Sequence, residues 1–464
     1  MTSSRGEYTH LLKEITENSR FSIKNIIVNG LFGYLDFFIR GDRSQEYNER
    51  LTILYGDNGL GKTTLLKLLF HALSPYDNRK HRNFIYETEF SLFAIELFDY
   101  VACKYISIMY TRELDGGEFP ELGKGYMVSV RHSDHKDAIV KFHTDSFKQS
   151  DAINNYSEFE KYSDTIRYIN MPIYFLSTQR ELLADYLNFN EEDFLLVNKG
   201  LADNSELSLY NRKSKSSANS LGMADLLKLT SEKIIQNLFE LVNNLEERTG
   251  DPYLDFIETL IESSDKNKIS HMLSKSELLD NIGPLSDQLK KYNSIGLSHN
   301  TNVDKIIAIV ESIDEKNFSA LNKIFRSYVE DLGKKVAIIE PVYRSFNSLI
   351  DSVNKFLVTK EMSYSRKLGL YLFSTKTKKY IHPDNLSSGE QQVIRMMCYA
   401  LLTSNHNALF IIDEPEISLN IKWQRKLLKS LLDISSEGNT SFIISTHSIE
   451  LLTQYSQNVV KLEV

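Results

Sequence analysis

Gly56-Asp57-Asn58-Gly59-Leu60-Gly61-Lys62-Thr63-Thr64 is the stretch on which the reading of this chain turns. It fits G-x-x-x-x-G-K-[ST], a phosphate-binding loop. Its three glycines let backbone N–H groups turn inward around a phosphate chain. The apolar segment Leu51–Tyr55 reads as a strand and Lys62–Leu73 as a helix. The helix therefore presents its positive end to the same anion. Lys62 has the reach for the β- and γ-phosphates of a nucleotide, and the Thr63 hydroxyl is a ligand for Mg2+. Asn58, Gly59, Gly61 and Thr64 complete the expected cradle.

Two further stretches lie far downstream. In Ala408-Leu409-Phe410-Ile411-Ile412-Asp413-Glu414-Pro415, an apolar strand ends in adjacent carboxylates. Strand ends of this kind are where open α/β sheets bind ligands. Successive side chains point opposite ways, so Asp413 and Glu414 are able to do different jobs, one holding Mg2+ and the other orienting and deprotonating an attacking water. In Leu386-Ser387-Ser388-Gly389-Glu390-Gln391-Gln392, Ser387 and Glu390 fit the S-x-x-E capping box of a helix start. A helix N-terminus carrying Ser387, Ser388 and Gly389 is also an anion site.

Working outward, the 464 residues suggest about two to four structural units. Apolar residues at 42% and charged residues at 25% are ordinary for a globular chain, which excludes disorder, collagen and disulfide scaffolds. A net charge of -8 gives no overall pull toward nucleic acid or anionic membrane. Cys103 and Cys398 lack metal-ligand spacing and read as buried free thiols of a reducing compartment. Residues 1–19 lack an apolar core for a signal peptide, and no run is long enough to span a membrane, so a cytoplasmic protein is expected.

Three zones follow. Residues 1–186 alternate apolar and polar side chains in Phe21–Val28, Tyr34–Arg40, Phe84–Phe98, Tyr105–Tyr110, Tyr126–Val130 and Ile139–Phe142, predicting antiparallel strands, and close on the apolar strand Ile173–Leu176. Residues 187–384 open on a polar loop, Gly200–Gly222, and continue with helical patterns at Met223–Glu247, Tyr253–Ser263, Val303–Ile313 and Phe318–Lys360, the last interrupted by Pro341. Their heptads are not sustained, so a short bundle is expected, not a rod. Residues 385–464 alternate helix and apolar strand (Gly389–Leu402, Leu409–Ile412, Lys422–Leu432, Phe442–Ile444), the pattern of parallel strands buried on both faces.

The order of these motifs resembles that of the ABC-class ATPases. Gly56–Thr63 corresponds to their Walker A, Leu386–Gln392 to the signature and Leu409–Glu414 to Walker B. Glu416-Ile417-Ser418-Leu419-Asn420 resembles the D-loop, Ser441–Ser448 with His447 the switch-histidine strand, and Thr178-Gln179-Arg180 the Q-loop. The resemblance covers the outer zones. The signature departs from Leu-Ser-Gly-Gly-Gln at Ser388 and Glu390, a variant similar to the SMC-like branch that includes OLD-type ATPases. It implies an α/β head, a mixed sheet with a P-loop core plus an antiparallel β subdomain, interrupted by a short, mainly helical insertion. It implies ATP and Mg2+ as ligands, with Thr63, Asp413 and Gln179 at the metal. Glu414 would be the catalytic base, Gln179 a sensor of the attacking water and His447 a γ-phosphate contact. Two heads would sandwich ATP between Walker A of one chain and Ser387, Ser388 and Gly389 of the other.

The insertion is too short for an SMC arm, and with seventeen residues after His447 no TOPRIM nuclease domain is expected in this chain. The combination resembles the separate ATPases of two-protein anti-phage systems, the AriA type of PARIS and the PtuA type of Septu. These work with a TOPRIM and an HNH nuclease respectively. That resemblance implies a higher homo-oligomer, a separate nuclease effector and a phage-encoded trigger. The rival readings are a RecF-like repair ATPase clamping DNA between its heads and a transporter ATPase subunit. Candidate nucleic-acid contacts are Arg79, Lys80, Arg82, Arg212, Lys213, Lys215, Lys376, Lys378 and Lys379, best read as solvated loops. His132, Asp134 and His135 are spaced for a metal but read better as a surface loop, and Trp423 reads as core or subunit packing.

Overall fold

The computed structural model describes residues 21–40, 50–74, 81–112, 126–133, 140–144, 156–169, 171–179, 182–185, 223–249, 273–295, 297, 303–365, 367–403, 408–436 and 440–463. They group into two compact units, one drawn from Met1–Leu221 and Thr403–Val464, the other from Gly222–Leu402. This division differs from breaks at 187 and 385. Within the second unit Lys360 reaches Glu390, with both carboxylate oxygens in range.

In chain order the first unit begins with β1 (Phe21–Leu31), β2 (Leu35–Arg40), β3 (Leu51–Tyr55), α1 (Lys62–Leu73), α2 (His81–Glu87), β4 (Leu92–Asp99), β5 (Lys104–Thr111), β6 (Tyr126–His132), β7 (Val140–Thr144), α3 (Tyr156–Ile169), β8 (Ile173–Leu176) and β9 (Leu182–Asp185). The second unit carries α4 (Met223–Thr249), α5 (Lys275–Ser294), α6 (Val303–Ser312), α7 (Glu315–Asn354), β10 (Lys360–Ser365), β11 (Gly369–Ser374), β12 (Tyr380–Ile381) and α8 (Ser388–Thr403). The chain then returns to the first unit with β13 (Leu409–Asp413), α9 (Ile421–Ile434), β14 (Ser441–Ser445), α10 (Ile449–Gln454) and β15 (Val459–Lys461).

Two six-stranded sheets build the first unit. One is antiparallel, ordered β2-β1-β4-β5-β6-β7. The other is ordered β15-β3-β14-β13-β8-β9, parallel except for the edge pair β8–β9. The inner strands read Leu-Thr-Ile-Leu-Tyr, Leu-Phe-Ile-Ile-Asp and Ser-Phe-Ile-Ile-Ser, so both faces must be covered. Helix α1 supplies cover: Leu65, Leu66, Leu68, Leu69 and Phe70 share one core with Phe175, Ile411 and Ile443 of the parallel sheet and Val28, Phe93 and Tyr110 of the antiparallel one. Each such side chain contributes about 1.5–3 kcal/mol by leaving water. That burial holds the helix behind the P-loop rigidly in place.

Several elements depart from the pattern reading. The run Phe84–Phe98 does not form one strand: residues 81–87 are helical and β4 starts at Leu92. Arg112 imposes the break, its guanidinium donating to the carbonyls of Ile85, Tyr86 and Thr88. Three carbonyls turned onto one cation are unavailable to a strand ladder. Helix α5 and the β10–β12 sheet were not foreseen. Pro341 does not interrupt α7, which runs unbroken for 40 residues. A helical proline costs about 3 kcal/mol. Val336, Ile339, Phe346 and Leu349 are buried on either side of it and together outweigh that cost. The helical pattern Tyr253–Ser263 and the polar loop Gly200–Gly222 lie outside the described residues.

Both cysteines are free, but only Cys398 is buried as expected. Burial pushes its thiol up to about 12. Cys103 is exposed, in the β4–β5 turn with φ 53°. The tight turn, not the apolar run around it, decides its position. A thiol reagent at pH 8 is expected to label Cys103 quickly in the native protein and Cys398 only after denaturation. Two equally fast native thiols, counted by intact mass, would contradict this packing.

Candidate functional site

Strand register assembles the site. Asp413 pairs with Ser445, Ser445 with Leu54, and Ile412 with Leu176. The P-loop after Tyr55, the Asp413–Glu414 pair, the Ser445–His447 segment and the Ser177–Gln179 turn all leave the parallel sheet at one edge. That edge is the carboxyl end of the strands, where α/β sheets bind ligands.

The P-loop meets its backbone demands with glycine. Gly59 and Gly61 have φ 87° and 71°. A Cβ on Gly61 would come within 2.8 Å of the Phe32 ring and 2.9 Å of Leu31. Helix α1 has Gly61 at its N-cap and no side-chain cap, whereas Ser274, Asp314, Asn420 and Ser448 cap α5, α7, α9 and α10. Its leading N–H groups are therefore left for an anion. The loop tip, Asp57–Gly59, is exposed, and Thr64 is half-buried. Lys62 is only 6% exposed. Its ammonium donates to the carbonyls of Gly56 at 2.8 Å and Asp57 at 2.9 Å. Burial lowers its pKa, while Glu414, Asp413, Asp57 and Glu416 pull it back up. The cation thus rests on two neutral carbonyl acceptors at the mouth of the loop, which an anionic phosphate can displace.

Thr63 and Asp413 meet directly: the Thr63 hydroxyl donates to Asp413 Oδ2 at 2.8 Å. The other oxygen, Oδ1, accepts from the Ser445 hydroxyl. Asp413 is 3% exposed, so its orientation is set from both sides. Glu414 has φ 51°, a strained value for a side-chain-bearing residue. Its N–H donates to the Ser445 carbonyl at 3.0 Å. This kink carries the Glu414 carboxylate out of the strand, half-buried, to face His447. His447 Nε2 lies 3.8 Å from Glu414 Oε1 and makes no hydrogen bond among the described residues. The gap is too long for a hydrogen bond. It leaves both groups open to a third partner.

Glu416 and Ser445 lie inside the D-loop-like and switch-histidine-like stretches, but no role for either was read from the sequence. Glu416 Oε1 accepts from the His447 backbone N–H at 2.6 Å, fixing the loop that carries the imidazole. Its Oε2 is buried and has no hydrogen-bond partner among the described residues. Ser445 braces Asp413 and receives the Glu414 N–H. The acidic run Asp413-Glu414-Pro415-Glu416 was the available signal for Glu416, and a polar residue closing an apolar strand was the signal for Ser445. Gln179 stands exposed in the turn after β8. Trp423 is half-buried on α9, not core. His132 is half-buried at the end of β6, and Asp134 and His135 lie outside the described residues.

The signature motif lies in the second unit, and its capping box forms as expected. The Ser387 N–H and O–H donate to Glu390 Oε2 at 2.7 and 2.9 Å, and Glu390 N–H returns to Ser387 Oγ at 3.3 Å. Ser387 and Ser388 are exposed, while Gly389 and Glu390 are buried. Burial raises the Glu390 pKa, but Lys360 and Ser387 outweigh it and hold the carboxyl below its ordinary value. Of the basic candidates, Arg82 is buried, donates to the His71 carbonyl and covers the Tyr162 ring. It is a core residue, not a nucleic-acid contact. Lys376, Lys378 and Lys379 are exposed on the β11–β12 turn. Arg79, Lys80, Arg212, Lys213 and Lys215 lie outside the described residues.

This site defines a nucleotide-binding P-loop protein, and the comparisons agree. The AAA ATPase domain family, AAA_15, matches residues 22–452, and the chain belongs to it. It is an ATPase, and the relatives it resembles are ATP-binding proteins. The phosphonates import ATP-binding protein PhnC of Mesoplasma florum is 26% identical over 167 residues, 32% of this chain and 66% of that protein. The methionine import ATP-binding protein MetN of Protochlamydia amoebophila is 32% identical over 90 residues, 19% of this chain and 26% of that protein. The chain thus spans less than two thirds of the length of these relatives. The Smc head domain of Pyrococcus furiosus, solved with the C-terminal domain of ScpA, covers 95% of the chain at 9% identity and a TM-score of 0.40. Among the described residues, no helix is long and apolar enough to cross a membrane.

Gly61→Ala is expected to cost about 1–2 kcal/mol from the left-handed backbone alone, plus the clash with Phe32. A fall in melting temperature together with loss of fluorescent ATP-analogue binding would confirm it. Unchanged binding would show that the loop tolerates another backbone conformation.

Proposed function

We propose that this ATPase works as a pair of heads, each completing the other's nucleotide site, and that it controls a separate nuclease in defence against phage. The observation that carries the reading is the split of the motifs. Lys62, Thr63, Asp413, Glu414 and His447 gather at one sheet edge, while the signature hydroxyls are presented on the second unit. Apolar side chains near the site support self-association: Ile421 after the D-loop is 56% exposed and Ile449 after His447 is 71% exposed. The described insertion supports a compact scaffold. Helix α7, about 60 Å long at 1.5 Å per residue, shares a core with α5 and α6 instead of extending as a lone arm.

Lys62 and the free N–H groups of α1 bind the phosphates. Thr63 and Asp413 offer two hard oxygens, the donor type Mg2+ takes when it keeps waters and phosphate oxygens as its other ligands. When bound, Mg2+ would neutralise developing charge on the phosphates. Glu414 takes the proton of the attacking water as its oxygen bonds to the γ-phosphorus and the bond to ADP breaks. His447 Nε2, unpartnered and facing Glu414, contacts the γ-phosphate. Gln179 swings in from its exposed turn to orient that water. Hydrolysis then biases the assembly between holding and releasing its nuclease, of TOPRIM or HNH type, in response to a phage-encoded trigger.

A RecF-like clamp on DNA is the second reading. The exposed Lys376, Lys378 and Lys379 turn favours it.

Lys62→Ala is expected to abolish nucleotide binding. Glu414→Gln should retain ATP, lower turnover at least a hundredfold and trap the paired heads. Tagged Glu414→Gln protein, expressed with its native neighbouring genes and weighed by native mass spectrometry, decides between the readings. A homo-oligomer carrying a nuclease supports the defence assembly. A bare dimer recovered with DNA supports the clamp. Wild-type turnover in Glu414→Gln removes Glu414 as the base.

A further inference from the structure

Glu390 sets an electrostatic problem. A carboxylate inside a motif that has to meet a triphosphate repels it, most strongly where water is excluded. The structure holds a partner for that charge. Lys360 Nζ lies 2.9 Å from Glu390 Oε1 and 2.7 Å from Oε2, with the two side chains 22% and 12% exposed. Glu390 Oε2 therefore accepts three donors: the Lys360 ammonium and the N–H and O–H of Ser387.

The position of Lys360 is itself constrained. It opens β10, and β10 is tied to the end of α7 by one side chain. The Asn354 amide donates to the Met362 carbonyl at 3.0 Å and accepts the Met362 N–H at 2.7 Å. This copies a two-bond backbone pairing and sets the strand against the helix end. Buried Phe346 packs edge-on against Tyr364 of the same strand. The last turns of the long helix thus place the ammonium that neutralises the signature.

We propose that Lys360 is a positioning residue for ATP hydrolysis: it cancels the charge of Glu390, so that an acidic signature can approach a triphosphate, and it keeps the Ser387 hydroxyl in its capping geometry. The proposal rests on the reading that Ser387–Gly389 meets a nucleotide. Two effects follow. Without Lys360, Glu390 repels the nucleotide and draws Ser387 alone. With both charges gone, the repulsion is gone too.

The test is ATPase kinetics of Lys360→Met, Glu390→Gln, the double variant, Lys360→Arg and Ser387→Ala. Fluorescent ATP-analogue binding and melting curves accompany each one. Lys360→Met is expected to lower kcat at least tenfold with nucleotide affinity kept within about threefold of wild type. The double variant should recover to within threefold of Glu390→Gln, and Lys360→Arg to within threefold of wild type. A purely structural lysine predicts otherwise: activity follows melting temperature and the double variant is the worst of the set. Should Lys360→Met fail to fold, the double variant read against Glu390→Gln still measures the coupling, because it carries no unpaired charge. Wild-type turnover in Lys360→Met, or a double variant far slower than Glu390→Gln, overturns the proposal. The two layers fail separately. Normal turnover in Ser387→Ala sinks the signature reading itself. A slow Ser387→Ala beside a normal Lys360→Met sinks only the role of Lys360.

Discussion

Asp413 sits between two hydroxyls, Thr63 on the P-loop helix and Ser445 on the neighbouring strand, and both bonds depend on parallel register. A one-residue slip of β13 against β14 would turn Asp413 into the opposite layer and bring Glu414 to its place. β13 is apolar on both faces, so its pattern alone does not oppose that slip; the two hydroxyl bonds to buried Asp413 do, because a slip would leave those polar groups buried without partners. Everything at the site inherits this constraint. The strained φ at Glu414 is held by its bond to Ser445, and the His447 loop is held by Glu416. Strain of this kind costs about 1–3 kcal/mol and survives only where surrounding contacts overdetermine it.

The two halves of the chemistry are built by different means. The P-loop side is a backbone site: glycines at positive φ, an uncapped helix end and a lysine resting on carbonyls. It presents donors that need no side-chain ordering, which suits a polyphosphate. The proposed signature side is a side-chain site, a capping box whose acidic member is paired with a cation from elsewhere in the fold. A carboxylate nine-tenths buried is costly without a partner, so Lys360 and Glu390 stand or fall together.

How much was legible follows from where each signal lives. The P-loop strand and helix, β13 and β14 were readable because each is a local apolar run bounded by its own punctuation. The candidate P-loop and carboxylate residues were readable because their chemistry is carried by adjacent positions. What escaped were residues whose meaning is a distant partner. Arg82 read as a surface cation and is core, because Tyr162 offers it a ring face. Phe84–Phe98 read as one strand until Arg112 claimed three carbonyls. Pro341 read as a break, yet packing on both sides of α7 outweighs its lost hydrogen bond. Cys103 read as buried, and a turn with positive φ exposes it.

The sequence by itself determined the P-loop, the pair of carboxylates at a strand end and the alternation of elements, since each follows from local pattern and backbone preference. Only the tertiary structure decided that Ser445 braces Asp413, that Glu416 holds the His447 loop and that Lys360 neutralises Glu390. Those partners lie 32, 31 and 30 residues apart in sequence. No propensity or period couples positions so separated. Strand register and helix packing do, because burial leaves each buried polar group one place to find its partner.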